Sequence, residues 1–215
     1  MAEISSLTKR PGRPRRLLAA VGVLWMVFLA LGLAGMIRYQ SESGAPAKPP
    51  TQWPRACSLA RADGQPKLLL FAHPQCPCTR ATIGELDRIA ARANGKLRGT
   101  VVMLSLPELG REWTHSELWD SAAKIPGIQV RADTGGAYAR QFGVRTSGEV
   151  LLYGADGQLE FQGGITASRG HSGDNQGADS IVALLQGRTP SCNSTPVYGC
   201  GLTSKTDLDD ESRNP

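Results

Sequence analysis

Residues 17–37, LLAAVGVLWMVFLALGLAGMI, run for 21 residues without a charge. A helix rises about 1.5 Å per residue, so this segment reaches about 30 Å, the thickness of a bilayer's hydrocarbon core. No other stretch of the chain rivals it. It therefore divides the molecule into a short part before it and a long part after it. Lys9, Arg10, Arg13, Arg15 and Arg16 stand just ahead of it. Basic residues mark the cytoplasmic flank of membrane helices. This predicts a basic cytoplasmic tail over 1–16, a single transmembrane helix over 17–37, and everything after Arg38 outside the cytoplasm. A cleaved signal peptide is the competing reading. Its apolar core usually runs about 7–15 residues, shorter than this one. Gly32-Leu33-Ala34 is also a poor cleavage site. Both readings export the remainder.

The net charge of +5 invites a nucleic-acid partner, but its placement argues against one. Residues 1–16 hold five basic residues against Glu3, which leaves only +1 for the rest of the chain. That is too little for a phosphate-binding face, so no nucleic acid is expected. A hydrophobic content of 40% and a charged content of 20% suit a globular domain. The 215 residues have room for one such domain with appendages.

Residues 38–54, RYQSESGAPAKPPTQWP, are rich in Pro, Ser and Ala and are predicted to form a semi-extended linker off the membrane. The folded domain is predicted over 55–202. Residues 203–215 are polar and acidic and are expected to be disordered. Within the domain, Lys67–Ala72 (KLLLFA) is a continuous apolar run, as expected of a strand buried on both faces. From Thr79 to Asn94, Ile83, Leu86, Ile89, Ala90 and Ala93 fall on one helical stripe, and Asn94-Gly95 closes it. Gly99–Leu106 is the next strand, followed by a helix over Glu108–Lys124 whose Trp113 and Trp119 are read as core. Ile128–Ala132 is a short strand, and Asp133 or Thr134 is placed to cap a helix running to Phe142. Glu149–Tyr153 and Leu159–Gly163 flank Gly154-Ala155-Asp156-Gly157, whose Asp-Gly is a strong hairpin signal. A glycine-rich loop over 164–177 leads to a last helix, Ala178–Leu185. The order β-α-β-α-β-α-β-β-α implies a mixed sheet with helices on both faces.

All five cysteines, Cys57, Cys76, Cys78, Cys192 and Cys200, follow the apolar segment. In an oxidising compartment disulfides among them would persist. Five is odd, so at least one thiol is free, pairs transiently or binds something else. Cys192 and Cys200 bound a nine-residue segment that could close on itself, or either could pair with Cys57. A structural disulfide and a second redox relay are both open for them.

The stretch His73-Pro-Gln-Cys76-Pro-Cys78-Thr joins a strand to an amphipathic helix. Two thiols at a helix start meet unpaired backbone N–H groups and the positive end of the dipole, and both favour thiolate. Here the chain resembles the thioredoxin superfamily over roughly residues 55–190. Phe142-Gly143-Val144-Arg145 is similar to the segment before that family's cis-proline loop, and Val150–Tyr153 with Asp156-Gly157 to its last hairpin. The motifs His73–Cys78 and Gly170-His-Ser-Gly-Asp-Asn175 resemble a membrane-anchored bacterial branch labelled RedB. The resemblance implies an α/β domain with a thioredoxin-like mixed sheet. It also implies Cys76 as the attacking thiol and Cys78 as the resolving one. It places the loop after the last strand beside them, which would bring His171, Asp174 and Asn175 close. His171 would then shuttle protons or stabilise a thiolate. The plainer reading is a surface loop whose Asp174 or Asn175 caps the last helix. His73 either tunes the thiolate or simply ends a strand.

Two departures stand out. The family has C-x-x-C, whereas Cys76-Pro77-Cys78 is C-x-C, a smaller ring that Pro77 stiffens further. Gly148 also stands where the family has its cis-proline.

The function implied is a thiol–disulfide oxidoreductase in a bacterial inner membrane, its domain periplasmic. Its partners would be exported protein thiols or disulfides and a redox partner protein. A copper carrier using Cys76, Cys78 and His73 or His171 is the alternative, although such carriers use C-x-x-x-C. A peroxidase needs Thr or Ser shortly before its cysteine, and Thr79 follows the pair instead. Two cysteines around a proline at a helix start argue against ordinary buried thiols. No phosphate loop, Ser/His/Asp order or paired C-x-x-C occurs, and no cofactor is expected.

Overall fold

A computed structural model describes residues 13–60 and 64–202; the tail expected over 203–215 and most of the N-terminal basic run lie outside the described residues. The chain up to Ser41 and the chain from Glu42 form separate units. In the first, α1 (Arg13–Ser41) is one uninterrupted helix. Its Arg15–Ser41 stretch, which contains an 18-residue window of mean hydropathy 2.5, is long and apolar enough to cross a membrane.

The second unit is built on a five-stranded sheet. Its strands are β1 (Lys67–Ala72), β2 (Gly99–Ser105), β3 (Ile128–Thr134), β4 (Val150–Tyr153) and β5 (Leu159–Gly163). They lie in the order β3-β2-β1-β4-β5. β2 runs parallel to β1 and β3, whereas β4 runs antiparallel to β1 and β5. All six residues of β1 are buried because it lies in the centre of the sheet. Alternation along the strand sends Leu68 and Leu70 into one core and Leu69 and Phe71 into the other. The first core is covered by α2 (Pro77–Arg92), α4 (Glu117–Ala123) and α6 (Gln176–Leu185), through Leu86, Ile89, Leu118, Ile181 and Leu185. The second packs Ala139 of α5 (Ala137–Gln141) together with Phe142 and Val144. A mixed sheet covered on both faces in this order is the thioredoxin-like fold expected.

The helix expected over 108–124 is broken. A 3-10 turn at Pro107–Leu109 is followed by α3 (Arg111–Thr114) and then α4. Gly110, at φ 78°, and His115, at ψ 61°, interrupt it. The cause is non-local: Thr114 Oγ1 donates to Ser105 Oγ at 3.1 Å, and Ser116 Oγ to the Pro74 carbonyl at 3.2 Å. These side chains take the backbone away from helical pairing. Asp133 caps α5 as expected, accepting from the Tyr138 and Ala139 N–H groups at 2.7 and 3.0 Å, but from within a longer β3.

Residues 38–54 are not a free spacer. Residues 38–41 belong to α1, and 44–53 lie along the domain. Gly44 N–H donates to Val197 O at 2.8 Å, Lys48 N–H to Gly143 O at 3.0 Å, and Trp53 N–H to Gly157 O at 2.9 Å. Trp53 sets its ring edge-on to Phe142 and Tyr153, with centroids 5.4 and 5.2 Å apart. The apolar area of those rings is what draws a Pro-rich segment onto the sheet.

Candidate active site

β1 ends at Ala72, and the next five residues turn the chain into α2. His73 N–H donates to Ser147 Oγ at 2.9 Å, which fixes the strand end. Gln75 N–H then donates to His73 Nδ1 at 3.1 Å and Cys76 N–H to His73 O at 3.2 Å, closing a tight turn. Cys76 is the N-cap of α2, with Pro77 in the first turn, where its missing N–H costs nothing. Thr79 N–H donates to Cys76 O at 3.0 Å, and Thr79 Oγ1 lies 2.9 Å from Ser147 Oγ. Cys76 is only 1% exposed, whereas Cys78 is half-buried. Cys76 borders a cleft of about 490 Å³ formed with Pro74, Gln75, Pro77, Arg80, Ser116 and Glu117.

Burial pushes the Cys76 thiol up, but hydrogen bonds from the Cys200 thiol, the Thr79 hydroxyl and the backbone N–H groups of both residues outweigh it, so its pKa falls. Burial pushes Cys78 up, and the charge on Cys76 beside it adds to that, while Arg169 opposes. Cys200 is pushed up to about 12, by burial first, then by donating to Cys76 and by the negative charge on its two neighbours. Of the three thiols, Cys76 is the one whose ionisation is favoured, while Cys78 and Cys200 hold their protons more firmly.

Cys200 and Arg169 were not read as parts of this site from the sequence. Arg169 reaches in from the loop after β5 and donates to the Gly199 carbonyl at 2.8 Å. Ser147 is the third residue missed; a serine in a loop carries no signal of its own. Cys200 left a trace in the odd cysteine count.

His73 is half-buried, and burial lowers its pKa. Its ring holds the turn through Nδ1 and stands edge-on to Trp113, centroids 5.3 Å apart. It makes no contact with a cysteine thiol. Trp113, read as core, packs partly on the second core and partly on this ring. The loop after β5 does reach the pair through Arg169, which acts on Cys78, but no hydrogen bond links His171 to either cysteine among the described residues. His171 is exposed, with its backbone N–H donating to Ser168 O at 3.3 Å. Its loop is tied lower on α2, where Gly173 N–H donates to Glu85 Oε1 at 2.8 Å. Asp174 is exposed, and Asn175 Oδ1 caps α6 by accepting from Ala178 N–H at 2.8 Å. Asn175 thus takes the capping role of the plainer reading.

No structural disulfide forms: all five cysteines are free thiols. Cys192 sits by Ser180 of α6, Sγ to Oγ 3.4 Å, while Cys200 has gone to Cys76. Cys57 is half-buried in the second core, and burial raises its pKa. Gly148 holds φ 94° and donates its N–H to Phe71 O at 2.7 Å, and no peptide bond is cis among the described residues. A left-handed glycine thus replaces the expected cis-proline geometry. Among the described residues no group of three or more His, Cys, Asp or Glu side chains is arranged to hold a metal ion.

The sequence matches no protein-family model and no curated protein. Among solved structures the chain is similar to a hypothetical protein from Sinorhizobium meliloti, at 22% identity and a TM-score of 0.54, over 66% of this chain and 82% of that one. It is also similar to an uncharacterised conserved protein from Geobacillus kaustophilus, at 18% identity and a TM-score of 0.54, over 76% and 93%. A secreted disulfide oxidoreductase from Mycobacterium tuberculosis aligns at 17% identity with a TM-score of 0.43, over 58% and 83%. At these identities the likeness is one of fold.

Proposed function

We propose that this chain is a thiol–disulfide oxidoreductase acting on exported proteins, anchored in a bacterial inner membrane by α1 with its N-terminus cytoplasmic. The observation that carries the reading is a buried cysteine, Cys76, capping the start of α2 and bordering a cleft, with a second thiol, Cys78, two residues on. The Cys76 thiolate attacks one sulfur of a substrate disulfide. A mixed disulfide forms, and the other substrate sulfur leaves as a thiolate that takes up a proton. Cys78 then gives up its proton and attacks Cys76 Sγ, expelling the second substrate thiolate. The substrate has gained two electrons, and the chain holds a Cys76–Cys78 disulfide; run backwards, the same steps oxidise a dithiol. His73 is a positioning residue for the turn. The basic residues before α1 support the orientation, and the domain is then periplasmic.

The test is a redox titration of the full-length chain, purified anaerobically in detergent and equilibrated with glutathione buffers, with metal content measured on the same sample. A two-electron couple abolished by Cys76→Ser is the expected result. Stoichiometric copper lost on the same substitution, with no accessible couple, would replace this reading by that of a metal carrier.

A further inference from the structure

After α6 the chain does not trail away. It returns across the domain as a strap, residues 193–202, that ends against the loop before Gly148. Gln162 N–H donates to Asn193 O at 3.0 Å, and Thr195 N–H to Gln162 O at 3.2 Å. Further along, Ser147 N–H donates to Cys200 O at 2.8 Å, Leu202 N–H to Arg145 O at 2.8 Å, and Thr146 pairs with Gly201 in antiparallel register. The bed beneath is cut for this strap. A side chain at Gly163 would run into Thr195, and one at Gly164 into Pro196. On the strap itself, a side chain at Gly199 would run into the Ser147 carbonyl. Arg169 adds a hydrogen bond to the Gly199 carbonyl.

This backbone pairing brings a cysteine 124 positions along the chain from Cys76 up to Ser147, whose hydroxyl meets His73 N–H and Thr79 Oγ1 on either side of Cys76, so that the two thiols lie close enough to influence each other. We propose that Cys200 is a third catalytic thiol, and that a Cys76–Cys200 disulfide is a working state of the protein. The proposal rests on the oxidoreductase reading and adds a second resolving route to it. In that route Cys200 attacks Cys76 Sγ in the mixed disulfide with a substrate protein. The Cys76–Cys200 bond forms and the Cys76–substrate bond breaks. The electron pair leaves on the substrate sulfur, which takes the proton that Cys200 gave up. The substrate disulfide is the oxidant, and two cysteines of the chain are oxidised by two electrons. Cys78 can then attack Cys76, moving the disulfide to Cys76–Cys78 and freeing Cys200 with no net redox change. The geometry favours this division of labour. The C-x-C ring is small and stiffened by Pro77, whereas a bond between distant segments of chain has no such ring to close. The strap also explains why the nucleophile is 1% exposed.

The experiment uses the full-length chain in detergent, as wild type, Cys78→Ser, and Cys78→Ser/Cys200→Ser. Each is oxidised with glutathione disulfide, quenched by alkylation, digested and mapped by mass spectrometry. Cys78→Ser keeps the strap intact, so it reads Cys200 without altering it. The expected result is a peptide linking Cys76 to Cys200 in Cys78→Ser, with Cys57 and Cys192 alkylated. In the double variant the Cys76–glutathione adduct should persist at least about tenfold longer. A Cys78→Ser chain that holds only the glutathione adduct, with a wild type that still forms Cys76–Cys78, overturns the role of Cys200 and leaves the oxidoreductase reading standing. A wild type that forms no disulfide at Cys76 overturns both.

Discussion

At Cys76 two opposing effects meet on one sulfur. Burial favours the thiol, and four donors favour the thiolate; the donors win. A donor to the sulfur stabilises the thiolate more than the thiol, so losing one raises the pKa. Thr79 supplies two of the four, and only its hydroxyl can be removed without disturbing the backbone. Thr79→Val is therefore expected to raise the Cys76 pKa. Thr79→Ser should leave it near the wild-type value. Thiolate absorbance and alkylation rate against pH read the shift directly. An unchanged titration in the valine variant would mean that the helix start and Cys200 alone set the charge. The placing of Cys76 and Cys78 at a helix start was legible in the sequence, because thiols at a strand–helix junction have a local physical signature. Arg169, Ser147 and Cys200 were not, because each acts through a contact made far along the chain.

The same division holds for elements. β1 and α2 were legible because a doubly buried strand reads as a continuous apolar run and a half-buried helix as a 3.6-residue stripe. Neither strap was. Residues 44–53 and 193–202 dock through backbone hydrogen bonds and, in the first, the single ring of Trp53, which leave no hydrophobic period, and their Pro, Ser and Gly content is that of a linker. Where a strap lies close to its bed, glycine is the only mark it leaves. Gly199→Ala puts a methyl group against the Ser147 carbonyl and must lift the strap locally. The expected outcome is faster alkylation of Cys76 at fixed pH, with a lower Tm from the lost Ser147–Cys200 and Arg169–Gly199 bonds. If the alkylation rate stays at the wild-type value while Tm falls, something other than the strap covers Cys76.

Both straps cross the domain above one buried acid. Glu149 is 2% exposed, its Oε2 has no hydrogen-bond partner, and it borders a cavity of about 400 Å³ closed by Gly44–Ala47 on one side and Thr195–Val197 on the other. Burial pushes its pKa to about 8, against 4.5 for the free side chain. The folded protein thus keeps this proton up to about pH 8, while the unfolded chain releases it near 4.5. Between those values the folded state holds more protons, so stability falls as pH rises. The contribution is fully present below the unfolded value and is lost by the folded one. At about 1.4 kcal/mol per unit, a gap of this size amounts to a few kcal/mol. His73 works the other way: its folded pKa lies below 6.5, so its contribution grows as pH rises through 6.5. Comparing wild type with Glu149→Gln cancels that effect, since both proteins keep His73. The Tm difference between them, measured from about pH 5 to about pH 8, should move steadily in favour of the glutamine variant. Protection of the amides in residues 44–47 and 195–197, taken relative to their intrinsic base-catalysed exchange, should fall over the same range in wild type alone, because the group being ionised is the one both straps border. Parallel Tm curves would mean that Glu149 is already charged in the folded protein, and water or a cation must then reach the cavity between the straps.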